Sequence, residues 1–211
     1  MEKIAALYLA HLNPITKSHE NIISQLSKKY HVYVFPVIFL KKGIEVNTRT
    51  FPFSYESRKS MLESIFNKNE NVEILPDYVF FSPYIKYLPP LVSPYSWSIR
   101  KQILKNVKET KFFSYTGDKA EWIALRLYNL HPIKAERLAV SASQVKELLY
   151  SDALSGESDR DSSKSWRRLV PCAVIRLIEE NWSLVEKFAR STDKTIKIMG
   201  MKFPADGIFH I

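Results

Sequence analysis

The chain has 211 residues, 45% of them hydrophobic and 25% charged, which suits one medium-sized folded domain and excludes a disordered composition. A single cysteine, Cys172, excludes an intrachain disulfide and points to a reducing, cytoplasmic setting. The opening apolar run is too short for a membrane span and unlike a secretion signal, so no membrane partner is expected. The formal net charge of +9 favours anionic partners, namely nucleotides, nucleic acid or a membrane surface, with a basic solvated surface as the ordinary alternative.

Ile4–Leu9 reads as a strand, followed by a polar stretch with a proline and a histidine. Glu20–Lys29 reads as a helix with Ile22, Ile23 and Leu26 on one face, and His31–Phe39 (HVYVFPVIF) as a strand rich in β-branched and aromatic residues. Lys41–Phe53 is a loop carrying Lys41, Lys42 and Arg49. Ser54 is placed to cap a helix that runs to about Lys68, with Met61, Leu62, Ile65 and Phe66 inward. Asn71–Leu75 is a short strand, Pro76–Pro94 a Pro- and Tyr-rich loop, and Tyr95–Val107 a helix. Strand and helix then alternate: Lys111–Tyr115, Asp118–Asn129, Pro132–Leu138 and Ala142–Tyr150. Ser151–Ser165 is polar and reads as flexible, Leu169–Glu180 is a helix with Cys172 as a small core residue, and Thr192–Ile211 has room for one or two strands. No internal repeat is visible. This alternation predicts an α/β domain, a parallel sheet with helices on both faces. Such sheets bind ligands beyond their C-terminal strand edge, where the loop after the first strand opens.

Only five glycines occur, and neither GxxxxGK[ST] nor GxGxxG is present. A bound phosphate would therefore be held at a helix N-terminus, where free amides and the helix dipole attract anions. Two termini qualify. At Thr16-Lys17-Ser18-His19, the hydroxyls can cap or donate and His19 can donate a ring N–H. At Val140–Lys146 (VSASQVK), Ser141 and Gln144 fit a capping box, while Ser143 and Lys146 fall one turn apart near the helix start. Taken singly, each has a plain structural explanation: a turn histidine and a helix cap.

Together the two segments resemble the nucleotidylyltransferase superfamily of Rossmann-like α/β enzymes. Its pattern is G-x-F-x-P-x-[HT]-x-x-H after the first strand and I-S-x-[ST]-x-[IV]-[RK] late in the fold. Here these read AHLNPITKSH, from Ala10 to His19, and VSASQVK, from Val140 to Lys146. Three further stretches resemble archaeal-type nicotinamide-nucleotide adenylyltransferases. They are Pro52–Arg58 (PFSYESR, against PFSxxER), Tyr115-Thr116-Gly117 (against YSG) and Trp166–Pro171 (WRRLVP, against WxxLVP). The NPIT of Asn13–Thr16 reads more like the eukaryotic members. The resemblance covers roughly residues 3 to 188, which divides the chain into a nucleotidylyltransferase domain, 1–190, and a C-terminal extension, 191–211. The extension is open to three readings: an edge strand, an oligomer contact that would make a homo-oligomer, or the start of a second domain.

The resemblance implies attack by a mononucleotide phosphate on the α-phosphorus of ATP, with pyrophosphate leaving and no covalent enzyme intermediate. With nicotinamide mononucleotide or its acid form as acceptor, the reaction belongs to NAD biosynthesis. His19 would bond the α-phosphate, and Thr16, in place of the family's first histidine, a neighbouring oxygen. Ser141, Ser143 and Lys146 would hold the β- and γ-phosphates. Mg²⁺ would bridge the phosphates and keep its waters, with no protein ligand set required. Asn13, Gly117 and Asp118 complete the implied ATP site, Asp118 as a ribose contact or a helix cap. Trp97, some twenty residues before Gly117, would stack on nicotinamide, with core packing as the alternative. Arg49 matches a loop arginine that reaches phosphate, or is solvated.

Four positions depart from the pattern. Ala10 and Ser18 replace glycines, Leu12 an aromatic residue and Lys146 an arginine. Ala10 predicts a tighter approach of backbone to ligand, and Lys146 keeps the charge without the planar fork. Phosphopantetheine adenylyltransferase shares the PxTxxH and SxSxxK spacing, but an RGLR-like segment is missing here; a cytidylyltransferase is a weaker alternative. A catalytically degenerate nucleotide- or nucleic-acid-binding protein is the alternative from another class, supported by the charge and by Ala10.

Overall fold

The structure, a computed structural model, describes residues 4–88, 93–117, 119–134, 140–155 and 165–209. Its main sheet has five parallel strands: β1 (Ile4–Ala10), β2 (His31–Pro36), β5 (Val72–Ile74), β7 (Lys111–Thr116) and β8 (Pro132–Lys134). Their spatial order is β5-β2-β1-β7-β8, so the winding reverses between β1 and β7. That reversal opens a crevice beyond the carboxyl ends of these two strands.

Alternation along the strands builds two cores. Leu7, Leu9, Tyr33 and Phe35 face one side, with Ile99 of α3 (Pro94–Leu104) and Leu125 of α4 (Lys119–Leu127). Tyr8, Val32 and Val34 face the other, with Ile23 of α1 (Lys17–Ser27), Leu62 of α2 (Tyr55–Phe66), Val145 of α5 (Ala142–Ser155), Val174 of α6 (Cys172–Glu180) and Val185 of α7 (Trp182–Ala189). The expected sheet with helices on both faces is present.

Several boundaries differ from the sequence expectation, each for a local reason. The strand expected over His31–Phe39 breaks at Val37. Pro36 has no amide to donate on the β5 side, the Val37 amide makes the last β1–β2 ladder bond, to the Ala10 carbonyl at 3.1 Å, and the Ile38 amide turns to the Tyr78 carbonyl at 2.9 Å. The chain then enters a second, smaller sheet of β3 (Ile38–Lys41), β4 (Ile44–Glu45) and β6 (Val79–Phe81), the last lying in the stretch expected to be loop. Helix α1 starts at Lys17, three residues early, because Thr16 caps it. Pro171 sets the start of α6, and Cys172 is exposed there, not in the core. Asp118, residues 135–138 of the strand expected over Pro132–Leu138, and residues 156–164 of the polar stretch lie outside the described residues.

The described part of the C-terminal extension forms an antiparallel hairpin, β9 (Thr195–Ile198) and β10 (Met201–Pro204), separate from the main sheet. Met199 and Gly200 both have positive φ, 50° and 87°, the geometry of a tight two-residue hairpin turn. Phe203 is buried against Phe39, Phe80 and Tyr84. Thr195 bonds Thr48 at 2.8 Å, and Asp193 accepts from the Thr50 hydroxyl at 2.7 Å. Among the described residues no helix is long and apolar enough to cross a membrane.

The guanidinium of Arg58, on α2 and only 2% exposed, joins these parts. It donates to the carbonyls of His11 and Val37, each at 2.8 Å, and to that of Ser54 at 3.3 Å, and pairs with Glu45 at 3.0 Å. Glu45 also accepts from the Tyr55 amide at the head of α2. Removing one member of a buried, hydrogen-bonded pair leaves a charge and several carbonyls unsatisfied. Arg58→Ala is expected to lower stability by about 3 kcal/mol or more in urea titration. A loss below about 1 kcal/mol, the scale of an exposed pair, would contradict this role.

Candidate functional site

The loop from β1 to α1 lies at the crevice. Leu12 takes a positive φ of 51° and is 1% exposed, so burial of its side chain offsets the roughly 1 kcal/mol cost of that backbone. Ala10 is not among the positive-φ residues, so its place in the family's glycine position demands no glycine conformation. A cis Asn13–Pro14 peptide follows. The buried Asn13 amide group donates to the Phe53 carbonyl at 2.8 Å and accepts from the Phe53 amide at 3.1 Å. Its side chain therefore fixes the loop to the segment before α2.

Thr16 is fully buried and caps α1 together with His19. The His19 amide donates to the Thr16 hydroxyl at 3.4 Å, and the Thr16 amide donates to His19 Nδ1 at 3.0 Å. Nδ1 being the acceptor, the ring proton sits on Nε2, which is left as a donor. Burial, and next the nearby Lys146 ammonium, lower the His19 pKa to about 4, so the ring is neutral at physiological pH. The Lys17 amide is taken by the Leu169 carbonyl at 2.9 Å. Ser18 keeps a first-turn N–H without a protein acceptor among the described residues.

The second terminus meets the first. Ser141 accepts from the Gln144 amide at 3.2 Å, and Ser141 and Ser143 are exposed at the head of α5. Lys146, one turn on, donates its ammonium to the Asn13 carbonyl at 2.9 Å. Two segments more than a hundred residues apart in sequence thus share one edge of the crevice. Burial first, and then the Lys202 ammonium, depress the Lys146 pKa to about 7.

Beside them lies a cavity of about 240 Å³, walled by His11, Phe39, Phe80 and Glu121 and roofed by Lys202 and Phe203 of the hairpin. The His11 ring stacks on Phe51 at 4.5 Å. Burial, and then the cations Arg58, Lys146 and Lys202, push its pKa down to about 3. Glu121 accepts from the Thr116 hydroxyl at 2.6 Å.

Other expected residues lie elsewhere. Arg49 donates through Nη1 to the carbonyls of Phe188, Ala189 and Ser191 and lies over the Tyr150 ring, so it holds the C-terminal end of α7. Trp97 is 44% exposed on α3, neither in the core nor on the cavity wall. Gly117 is exposed just past β7. Among the described residues no group of three or more His, Cys, Asp or Glu side chains gathers. His11, Arg58 and Lys202 gained no role from the sequence. For His11 the available signal was its place inside the AHLNPITKSH segment; Lys202 carried none.

Both imidazoles have pKa values lowered from 6.5 in the unfolded chain, so between about pH 4 and 6.5 the unfolded state binds more protons. Their contribution makes stability rise with pH across that window and level off above it. The thermal midpoint is expected to fall from pH 7 to pH 5, and to fall less in His11→Gln. An identical slope in the variant would show that His11 titrates as an ordinary exposed imidazole.

No family model matches the sequence, and a search of curated proteins finds no match. Solved structures do match. A protein from Vibrio parahaemolyticus, provisionally assigned as a nicotinate-nucleotide adenylyltransferase, superposes with a TM-score of 0.57 at 13% identity, over 88% of this chain and 96% of its own. The bifunctional NMN adenylyltransferase/ADP-ribose pyrophosphatase of Francisella tularensis superposes with a TM-score of 0.53 at 18% identity, over 92% of this chain but only 58% of its own. The chain has the α/β Rossmann-like fold of these proteins.

Proposed function

We propose that the protein is an adenylyltransferase that joins ATP to a pyridine mononucleotide, nicotinamide mononucleotide or its acid form, making the dinucleotide and releasing pyrophosphate. The observation that carries this reading is the 2.9 Å bond from Lys146 to the Asn13 carbonyl. It brings Lys146 of α5, the helix headed by Ser141 and Ser143, to the loop that leads into the His19 ring and the open Ser18 amide. A triphosphate needs such a row of donors and one cation. The two superposed structures with TM-scores above 0.5 support the fold on which the reading rests.

In the reaction, a phosphate oxygen of the acceptor attacks the α-phosphorus of ATP, and the bond to the β,γ-diphosphate breaks. Alignment and charge stabilisation are the protein's tasks. His19 donates from Nε2 to an α-phosphate oxygen without itself carrying charge, and Thr16 acts by holding that ring. Lys146 takes the charge of the leaving pyrophosphate, with Ser143 and Ser141 beside it. ATP arrives as its Mg²⁺ complex, the metal carried on the phosphates. The free Cys172 thiol accords with a cytoplasmic enzyme.

Pyrophosphate release is the test, with Mg²⁺, ATP and one acceptor at a time: nicotinamide mononucleotide, its acid form, or phosphopantetheine. Release with either mononucleotide is expected. Release with phosphopantetheine alone would move the reading to that acceptor. Silence with all three, together with nucleic-acid binding that weakens steeply with salt, would replace it by a degenerate binding protein. His19→Ala is expected to cut turnover at least about a hundredfold, the scale of losing a transition-state donor, while costing about 1 kcal/mol through the helix cap. An unchanged rate would remove His19 from the mechanism.

Lys146 gives a second check. With its pKa near 7, it is largely neutral at pH 8 in the free protein and must charge to hold a triphosphate. Calorimetric titration with ATP at pH 8, in buffers of different ionisation enthalpy, is expected to show uptake of close to one proton. Zero uptake would place the triphosphate away from Lys146.

A further inference from the structure

We propose that the C-terminal hairpin is a working part of the nucleotide site, with the Lys202 ammonium binding the polyphosphate of ATP alongside Lys146 and His19. This rests on the adenylyl-transfer reading above and adds to it a residue that lies outside every segment resembling a known family.

Three observations carry it. First, the hairpin is seated firmly enough to serve as a site wall. Gly200 lies so close to α4 that a Cβ there would stand 2.7 Å from the Ala120 Cβ. Phe203 is 2% exposed within the aromatic cluster, and the Ala205 amide closes the hairpin base on the Lys194 carbonyl at 2.8 Å. Second, Lys202, between these anchors on β10, lines the same cavity as His11. His11 lies two residues from the Asn13 carbonyl that holds Lys146 at 2.9 Å, and the Lys202 charge disfavours protonation of both His11 and Lys146.

Third, neither ammonium touches a counterion among the described residues, the carboxylates of Asp193 and Glu147 acting on Lys146 without a contact ion pair. Lys146 has a neutral carbonyl as its hydrogen-bond partner, and neither Lys146 nor Lys202 forms an ion pair among the described residues. The contrast is Lys41 on β3, which is paired with Asp206 just beyond the same hairpin. Ammoniums this close, with no contacting counterion, disfavour each other's protonation in the empty site, and a polyanion between them relieves that cost. Adenosine, which carries no phosphate, would gain nothing from Lys202.

The test compares wild type, Lys202→Gln, Lys202→Arg and Lys194→Gln, the last removing an equal charge from a hairpin residue off the cavity wall. Binding of ATP, inorganic tripolyphosphate and adenosine to the full chain is measured by calorimetry, and the ligand-free thermal midpoint by scanning. In Lys202→Gln we expect ATP and tripolyphosphate to bind about tenfold more weakly or worse, adenosine within about twofold of wild type, and a ligand-free midpoint equal or higher. Lys202→Arg is expected to recover most of the affinity, and Lys194→Gln to stay within about twofold. Equal effects of Lys202→Gln and Lys194→Gln, or equal losses for ATP and adenosine, would overturn the inference. If wild type turns over and Lys202→Gln binds ATP as wild type does, this inference alone falls. If wild type binds neither ATP nor tripolyphosphate, the adenylyl-transfer reading falls and takes the inference with it.

Discussion

A guanidinium cannot be stripped of water unless nearly all its hydrogen bonds are replaced, and Arg58 meets that demand from three separate parts of the chain. The His11 carbonyl belongs to the loop that opens the site, the Val37 carbonyl to the link between the two sheets, and Glu45 to the small sheet. Each would be free to shift without this common donor. The Asn13 amide group repeats the device a few ångströms along, reading both polar groups of Phe53. The loop that presents His19 is therefore positioned by buried polar bonds, not by glycine geometry.

The electrostatics of the crevice follow from the same burial. Imidazoles near buried cations stay uncharged, because both desolvation and repulsion oppose the proton. The crevice thus contains neutral ring donors and a small number of ammoniums, with Glu121 already engaged by Thr116. A low-dielectric wall of Phe39, Phe80 and Phe203 focuses the field of those ammoniums into the cavity.

Much of the sheet was legible in the sequence because its information is local. The alternation of β1 and β2, the Ser54 cap and the periodic faces of the helices depend on neighbours a few residues away. The two helix termini were legible for the same reason, and the Ser141–Gln144 cap is present as the spacing implied. What sequence reading missed depends on contacts between distant segments. The switch into the small sheet after Val37 needs the Tyr78 carbonyl, the place of Arg49 needs the end of α7, and Lys202 enters the site only because Phe203 seats the hairpin in an aromatic cluster drawn from β3, β6 and Tyr84. The capping box at α1 was hidden for another reason: its third position is histidine in place of the usual glutamate or glutamine.

That substitution has a consequence for the helix itself. The ring that offers Nε2 to the crevice also closes the first turn of α1 through Nδ1. A proton arriving on Nδ1 would turn this acceptor into a donor facing the Thr16 amide. One protonation would then charge the crevice and unfasten the helix end together, and the amide of Thr16 would begin to exchange with solvent while the remainder of α1 stayed protected. Acid sensitivity at this end of the molecule is thus a property of one hydrogen bond, local in extent and independent of the helix's intrinsic propensity.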